Sequence, residues 1–344
     1  MMETLKMGII GAGTWGETHA HIYDSHPNVK LAAVCDLNYA RAKQVAGKFG
    51  LPDSAVYTSH KEMLNKADID AVAIVTPDFL HCEIAVDCAN AKKHFIIEKP
   101  LATTREEAIR IVEAVQKNDV RMMVDLHNRW NPPIAVVKKA VDDGEIGDPY
   151  SAYYRLNDIK WVATDLLPWA AKTSILWFLG YHSADTLRWI FNDEVERVYS
   201  VSRSGVLKQL GVDTADIYQT ILEFRKGGIA TMENGWITPN TNPNVNDIKM
   251  NVTGTKGMFN LDLTHHQMIE RFTEEKADRP DVLVRHFVHG KPAGFAYESI
   301  RHFVDHLIAG KPFYVSVEDA FNTTMVILAI LESARKREPV VVKY

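Results

Sequence analysis

The sequence is poor in cysteine, with only Cys35, Cys82 and Cys88 among its 344 residues. This small number and the irregular spacing exclude a disulfide framework and a cysteine-based zinc site. A reducing cytoplasm is therefore the expected location. The chain also lacks a long apolar run, because its longest uncharged stretch, around residues 173–184, is well below the ~20 residues that a membrane-spanning helix needs. The short N-terminal run "MGIIGAG" leads straight into a glycine turn, so no signal peptide is expected.

An excess of positive charge is also missing. Lysine and arginine number 39 against 44 acidic residues, which gives a net charge of −5, and no basic block stands out. Nucleic acids and anionic membranes are therefore poor partners for this surface. The histidines His265, His266, His286 and His289 lack the spacing of metal ligands, so no metal site is expected.

The length exceeds the roughly 250–300 residues at which single hydrophobic cores stop growing, which predicts two domains. Residues 1–126 alternate short β-branched runs with helical patterns. That alternation predicts an α/β domain with a doubly wound parallel sheet, the Rossmann arrangement. Residues 127–344 form the second predicted domain.

The second domain has a different pattern. Long strand-like stretches with alternating or aromatic character predict an α+β domain with a large, mostly antiparallel open sheet. A hairpin is expected around residues 226–228. Two helical patterns, about 298–309 and 318–335, close the chain and are candidates for packing back on the first domain.

Three glycines stand in the spacing G-x-G-x-x-G between the first predicted strand and the first predicted helix. They are Gly11, Gly13 and Gly16, with Thr14 and Trp15 between the last two. The glycines permit a tight turn and a close backbone approach, and the helix N-terminus presents amide hydrogens to a pyrophosphate. The spacing alone also occurs in ordinary turns, but the strand–turn–helix context predicts a dinucleotide site.

Asp36 follows Gly16 by about 20 residues, at the end of the second predicted strand. Its carboxylate can accept hydrogen bonds from the adenosine ribose hydroxyls and would repel a 2′-phosphate, which favours NAD over NADP. Arg41 lies nearby and could partly compensate, so NADP stays possible.

Two further strand ends carry polar residues at the edge where open α/β sheets bind ligands. Thr76 and Pro77 end the predicted strand at residues 71–77, where a simple turn is an equal alternative. Lys99 stands in the triplet Glu-Lys-Pro that ends the next strand. A lysine at such an edge is usually just solvated, but at the nicotinamide end of a cofactor it could hydrogen-bond a reacting oxygen. Partial desolvation would lower its pKa, which suits proton exchange.

Taken together, these motifs resemble the glucose–fructose oxidoreductase / inositol dehydrogenase / rhizopine-catabolism (Gfo/Idh/MocA) family. The resemblance is close over the first 150 residues and the last 50. In the middle of the chain, mainly the layout of the predicted elements is similar. The stretches that carry it are "GIIGAGTWGETHA", "CDLNYARA", "TPDFLHCEIA", "FIIEKPLATT", "NRWNP" and "SIRHFVDHLIAGKPFYVSVEDAFNTTMVILAILESA".

The resemblance implies an NAD(P)-dependent oxidoreductase that transfers hydride between nicotinamide and a carbinol or carbonyl carbon of a sugar, cyclitol or derivative. It implies that Lys99 orients the reacting oxygen and assists proton transfer. The second domain would supply a substrate wall and an interface for a homodimer or homotetramer. Positions implied to line the cofactor cleft are Thr76, Pro77, His81, Glu98 and Lys99, and His127, Asn128 and Arg129 would add cofactor or substrate contacts.

The family's second-domain signature is Asp-x-Gly-x-His-x-x-Asp. Gly180, His182 and Asp185 fit it, but Phe178 occupies the first position. A lone histidine in an apolar stretch is most often a satisfied core residue. With Lys99 intact, we expect His182 instead to exchange a proton with the substrate. Asp185 is the first candidate for its acid partner, and Asp158 and Asp165 are alternatives.

The substrate-contact candidates combine aromatic and charged side chains, as carbohydrate sites do. The alternatives are core packing for the tryptophans and plain solvation for the lysine. The candidates are Arg129, Lys160, Trp161, Trp169, Phe178 and His182.

Two other functions stay open at this point. One is a non-catalytic NAD(P)-sensing regulator of the same fold, which would not need Lys99. The other is a glycosidase that uses bound NAD transiently.

Overall fold

A computed structural model describes residues 4–264, 269–275 and 277–344. His265 and His266 lie outside the described residues. The chain divides into two compact units. The first comprises Met1–Trp130 and Leu283–Phe321, and the second comprises Asn131–Val282 and Asn322–Tyr344.

The first unit contains a six-stranded, wholly parallel sheet in the order β3-β2-β1-β4-β5-β6. The central strands are apolar and buried on both faces, as a sheet covered by helices requires. The predicted Rossmann sheet is thus confirmed. Its strands are β1 (Leu5–Ile10), β2 (Val29–Cys35), β3 (Val56–Tyr57), β4 (Ala71–Ile74), β5 (His94–Glu98) and β6 (Met122–Asp125).

Five helices connect these strands. Three of them begin at a capping residue: the side chains of Asn38, Ser59 and Thr104 each accept a hydrogen bond from an amide of the first helical turn. These amides have no partner within the helix, so the cap satisfies them. The helices are α1 (Thr14–Ser25), α2 (Tyr39–Lys48), α3 (His60–Lys66), α4 (His81–Asn90) and α5 (Arg105–Asn118). Short 3₁₀ turns follow β4 and β6, at Asp78–Leu80 and His127–Trp130.

The second unit is built on a seven-stranded sheet in the order β12-β11-β7-β10-β9-β8-β17. Only β7 and β10 pair in parallel, so the predicted mostly antiparallel sheet is confirmed. The hairpin expected around residues 226–228 joins β9 to β10. The strands are β7 (Pro149–Asp158), β8 (Val195–Arg203), β9 (Ile217–Phe224), β10 (Ile229–Gly235), β11 (Asn246–Gly254) and β12 (Met258–Asp262), with β17 (Val340–Val341) at the edge.

The second unit also contains the helices α6 (Pro132–Asp142), α7 (Tyr181–Phe191) and α8 (Val206–Gln209), and the small hairpin β13 (Arg271–Phe272) with β14 (Ala277–Asp278). The hairpin β15 (His286–Val288) with β16 (Lys291–Ala293) and helix α9 (Phe295–Ile308) belong to the first unit. Helix α10 (Val317–Lys336) begins in the first unit and ends in the second. Among the described residues, no helix is long and apolar enough to cross a membrane.

Candidate active site

In the turn between β1 and α1, steric contacts explain the spacing of the glycines. A Cβ on Gly11, whose φ is +105°, would lie 2.2 Å from the Val75 carbonyl oxygen. A Cβ on Gly16 would lie 2.0 Å from the Gly11 carbonyl oxygen, whereas one on Gly13 would meet nothing within 4 Å. Gly11 and Gly16 therefore permit the tight backbone packing, and Gly13 leaves open space above the turn.

Helix α1 begins at this turn without a side-chain cap, since its N-cap residue is Gly13. The amides of its first turn can therefore donate to a bound anion, and the helix dipole adds to the attraction. Thr14 is exposed, and the half-buried Trp15 stacks on the His127 ring with centroids 5.2 Å apart. The open turn, the uncapped amides and the flanking aromatic surface together fit a dinucleotide.

Asp36 is held rigidly at the end of β2. Its Oδ2 accepts a hydrogen bond from the Ala12 amide at 2.9 Å, and its Oδ1 accepts one from the Asn38 amide at 2.8 Å. The nearest Arg41 nitrogen is 3.9 Å from Oδ2, and the Arg41 side chain is more than half exposed. The geometry thus fixes a negative charge beside the glycine turn, while Arg41 is free to move in solvent.

His81 ties together the two loops that follow β4 and β5. Its buried ring lies with Nδ1 2.6 Å from the Pro100 carbonyl oxygen and Nε2 3.0 Å from the Thr76 carbonyl oxygen. Burial lowers the pKa of His81, although both carbonyls favour protonation. The Thr76 hydroxyl beside it is buried without a hydrogen-bond partner, which leaves a polar atom for a ligand. Pro77 is half-buried in the same loop.

Lys99 is half-buried directly after β5, and the preceding Glu98 is buried. Because β4 and β5 are parallel neighbours, the Thr76-Pro77 loop and Lys99 leave the sheet at the same edge. These residues and the glycine turn belong to one compact unit. The first unit therefore assembles the predicted set at the carboxyl ends of its strands.

The three predicted residues in the turn after β6 differ in their surroundings. His127 is buried between Trp15 and Phe295, and Asn128 is half-buried. The buried Arg129 donates to the Tyr314 carbonyl at 2.8 Å and pairs with Asp319, whose carboxylate oxygens lie 3.1 and 3.2 Å away. These bonds anchor the first turn of α10 and the segment before it, a structural role for Arg129 that the sequence did not indicate.

Four polar residues close to Glu98 were not predicted from the sequence. They lie on α1, β6 and α9, and are buried within the first unit: His19, Tyr23, Asp125 and Ser299. The only sequence signal available was the i, i+4 spacing of His19 and Tyr23 on one helix face.

In the second unit, His182 is 4% exposed and lies in the first turn of α7, and Asp185 is fully buried one turn later. A π-helical turn, Leu176–Gly180, precedes α7 and contains the half-buried Phe178. A Cβ on Gly180 would lie 2.8 Å from Leu176 Cδ2 and 3.3 Å from Asn234 Oδ1. Gly180 therefore permits the start of α7 to pack closely on β10.

The remaining second-unit candidates differ in exposure. Asp158 is buried at the end of β7 and accepts a hydrogen bond from Asn246, whereas Asp165 is exposed. Trp161 is 40% exposed, and Lys160 and Trp169 are half-buried. Trp161 is thus not a core residue of this unit.

Comparison with known proteins places both units in one family. The family model described as "Oxidoreductase family, NAD-binding Rossmann fold" matches residues 5–126, and the "GFO/IDH/MocA C-terminal domain" model matches residues 134–260. A myo-inositol 2-dehydrogenase of Thermotoga maritima is 25% identical over 346 residues, which cover 98% of each chain. A levoglucosan dehydrogenase of Pseudarthrobacter phenanthrenivorans is 29% identical over 314 residues, covering 81% of this chain and 79% of the relative.

A solved structure of scyllo-inositol dehydrogenase from Lactobacillus casei, described with bound NAD(H) and scyllo-inositol, has a TM-score of 0.84 at 21% identity and covers 99% of both chains. At that identity the likeness supports the fold.

Proposed function

The chain belongs to the GFO/IDH/MocA family of NAD-binding oxidoreductases, and from that premise we propose that it transfers hydride between NAD and the carbinol or carbonyl carbon of a sugar, a cyclitol or a derivative. The observation that carries the proposal is the first unit's sheet edge, where an open glycine turn, the Thr76 hydroxyl and Lys99 occur together. The substrate class is supported by relatives that are named for inositols and levoglucosan.

The first unit would hold the cofactor. The amides at the start of α1 would bind the pyrophosphate, Asp36 would accept hydrogen bonds from the adenosine ribose, and the Thr76 hydroxyl would meet the nicotinamide half. When bound, NAD supplies the nicotinamide carbon that accepts or returns the hydride. His81 supports this site indirectly, because its buried ring lies between the carbonyls of both flanking loops and, when neutral, donates a hydrogen bond to one of them.

Lys99 and His182 would do the acid–base work. Half-buried at the strand edge, Lys99 would donate a hydrogen bond to the reacting oxygen and stabilise the charge that develops on it. His182 would take the proton as the carbinol is oxidised and return it during reduction. Asp185, one helical turn from His182, is the proposed orienting acid in place of the carboxylate that Phe178 replaces.

The test is a substrate screen with NAD⁺ and with NADP⁺. Myo-inositol, scyllo-inositol, levoglucosan and a panel of hexoses and keto-sugars are offered to the purified protein, and reduction or oxidation of the nicotinamide is followed by absorbance. We expect turnover with at least one cyclitol or sugar, faster with NAD⁺. Cofactor binding without turnover across the panel would contradict the proposal and favour a sensing role.

Replacing Asp36 with alanine should shift cofactor preference toward NADP⁺. The substitution removes both the ribose acceptor and the fixed charge that repels a 2′-phosphate, and the exposed Arg41 could then pair with that phosphate. We expect the ratio of kcat/KM for NAD⁺ to that for NADP⁺ to fall by about 100-fold, equivalent to ~2.7 kcal/mol. Asp53→Ala, at an exposed carboxylate paired with Lys43, is the control and should leave the ratio unchanged.

A homo-oligomer would form through the open face of the second unit's sheet. Tyr199 and Ile221 are direct cross-strand partners on that face and are 39% and 47% exposed. Monomeric proteins rarely leave contiguous apolar patches open, and a second copy would cover this one. Light scattering after size exclusion should show a dimer or tetramer that Ile221→Glu dissociates, and that Val136→Glu on the exposed side of α6 leaves intact. A monomeric parent protein would refute the interface.

We also propose a cytoplasmic location. All three cysteines are free and buried, and burial raises the pKa of Cys35 to about 12, which keeps that thiol in its unreactive protonated form. Such thiols are typical of proteins from a reducing compartment.

A further inference from the structure

An exposed tryptophan and an asparagine-rich loop lie next to each other in the second unit. Trp161 follows β7 and is 40% exposed, although tryptophan is highly buried on average. The loop between β10 and β11, residues 236–245, contains three asparagines and two prolines. The chemistry proposed above requires neither the loop nor the exposed indole face.

Hydrogen bonds hold this loop against the segment that carries the tryptophan. The Trp161 amide donates to Asn240 Oδ1 at 2.8 Å, and the Lys160 amide donates to the Thr238 carbonyl at 3.0 Å. The two prolines restrict φ at two further positions of the loop. The indole and the loop are therefore held in one arrangement before any ligand binds, which lowers the entropic cost of binding.

The loop offers hydrogen-bond donors beside the indole. Asn240 is exposed, and because its Oδ1 accepts the Trp161 amide, its Nδ2 hydrogens remain for another acceptor. The half-buried Asn244 has an Nδ2 atom that is buried without a hydrogen-bond partner among the described residues. Such a donor is costly to leave unsatisfied, and a ligand oxygen would satisfy it.

This combination of groups matches the surface of a sugar ring. The C–H bonds of a pyranose form an apolar face that can stack on an indole, and its hydroxyl oxygens accept hydrogen bonds from amides. Binding sites commonly combine an apolar or aromatic wall with a few polar groups that fix the orientation of the ligand. The chemistry of this surface therefore points to a carbohydrate.

The surface also lies at the same end of the sheet as His182. Asn234 on β10 donates to the Leu156 carbonyl and to the Ser183 hydroxyl, both at 3.0 Å. These bonds tie the first turn of α7, which contains His182, to the ends of β7 and β10. Trp161 comes five residues after Leu156, where the chain has already left the sheet. The indole therefore lies beyond the strand ends that hold the first turn of α7.

We propose that Trp161, Asn240 and Asn244 form a second carbohydrate subsite, so that the preferred substrate is a glycosylated sugar or cyclitol rather than a single ring. The ring that exchanges hydride would contact His182, and the attached sugar would stack on the indole and bind the asparagine amides. A contact remote from the reacting carbon is made equally in the ground state and the transition state, so it lowers KM. This inference rests on the proposed oxidoreductase function and deepens it by naming the substrate class.

The experiment compares single-ring probes with their glycosylated counterparts in the nicotinamide absorbance assay. Glucose is paired with maltose and cellobiose, and myo-inositol is paired with its galactosyl derivative, galactinol. We expect at least one glycosylated probe to have a kcat/KM about tenfold above that of its single-ring partner, mainly through a lower KM. Turnover of single rings without any such gain would overturn the second subsite and leave the proposed function in place. A protein that turned over no probe would overturn both.

Two variants test the groups assigned to the subsite. Trp161→Ala should lower kcat/KM for the preferred glycosylated probe about tenfold, the contribution of a stacked aromatic, and leave that of the single ring nearly unchanged. Asn240→Asp keeps the oxygen that holds the Trp161 amide but removes the donors, and should lower only the glycosylated probe's kcat/KM, by about threefold. Tyr150→Ala, at a 65% exposed aromatic at the start of β7, is the matched control and should change neither value.

Two results with Trp161→Ala would contradict the assignment. Equal losses for the single-ring and the glycosylated probe would place the indole against the reacting ring and overturn the inference. Dissociation of the oligomer in this variant, measured by light scattering, would overturn it as well, because a second copy would then cover the indole. Melting temperatures identify any variant that fails to fold, and Asn240→Asp retains the indole as an independent test.

Discussion

Replacing Lys99 with alanine is expected to lower kcat by about 10³-fold or more and to change the dissociation constant of NAD⁺ by less than threefold. The proposed role of the ammonium group is to stabilise the charge that develops on the reacting oxygen and to assist its proton transfer. One positioned donor of this kind contributes about 10²–10³-fold, and positioned proton transfer contributes 10²–10⁴-fold. Binding of the cofactor depends mainly on the glycine turn and Asp36, so it should survive.

The measurement combines steady-state rates on the best substrate from the screen with calorimetric titration of NAD⁺. Lys117→Ala, at an exposed lysine near the end of α5, is the matched control and should behave like the parent protein. Lys99→Arg keeps the charge but cannot act as a proton donor at neutral pH, so its rate should lie between those of the parent and the alanine variant. Near-normal turnover in Lys99→Ala would rule out this role.

Most of the main-chain architecture of the first unit was predictable because its central strands are short apolar runs buried on both faces. The two-residue, half-buried strand β3 contains no such run and was not predicted. The runs ending at Ile74, Glu98 and Asp125 needed no tertiary information to be recognised. The glycine turn was predictable for a different reason. The backbone leaves no room for a side chain at Gly11 and Gly16, and this local requirement is visible in the spacing of the glycines. Local rules therefore located the binding edge of the sheet.

The side-chain network beneath that edge was not predictable in the same way. Ser299 and Asp125 are 174 residues apart, and neither lies in a motif that mentions the other. Arg129 likewise pairs with Asp319, which lies far along the chain. The residues next to Arg129 in the sequence do not indicate this pair, and they predicted a ligand contact instead. The π turn before α7 also escaped prediction, because its residues Leu176–Gly180 have ordinary helical composition.

His182→Ala is the second large effect we expect, a fall in kcat of about 10²–10⁴-fold, the usual contribution of a positioned acid or base. The buried ring exchanges the substrate proton in the proposed mechanism, so adding imidazole to the assay should restore part of the activity of the alanine variant. A substitution that merely damaged packing would not respond to imidazole. A fall in kcat of less than threefold would instead indicate that His182 is a core residue.

The same assay decides which acid replaces the carboxylate absent at Phe178. Asp185 is fully buried one helical turn from His182, whereas Asp165 is exposed, so Asp165→Asn serves as the matched control. If Asp185 orients the imidazole, Asp185→Asn should lower kcat about tenfold with little change in KM, since it weakens a group that acts in the transition state. Phe178→Asp should then rescue that variant by supplying a carboxylate from the π turn. Equal activity of Asp185→Asn and Asp165→Asn would instead direct the search to the buried Asp158 at the end of β7.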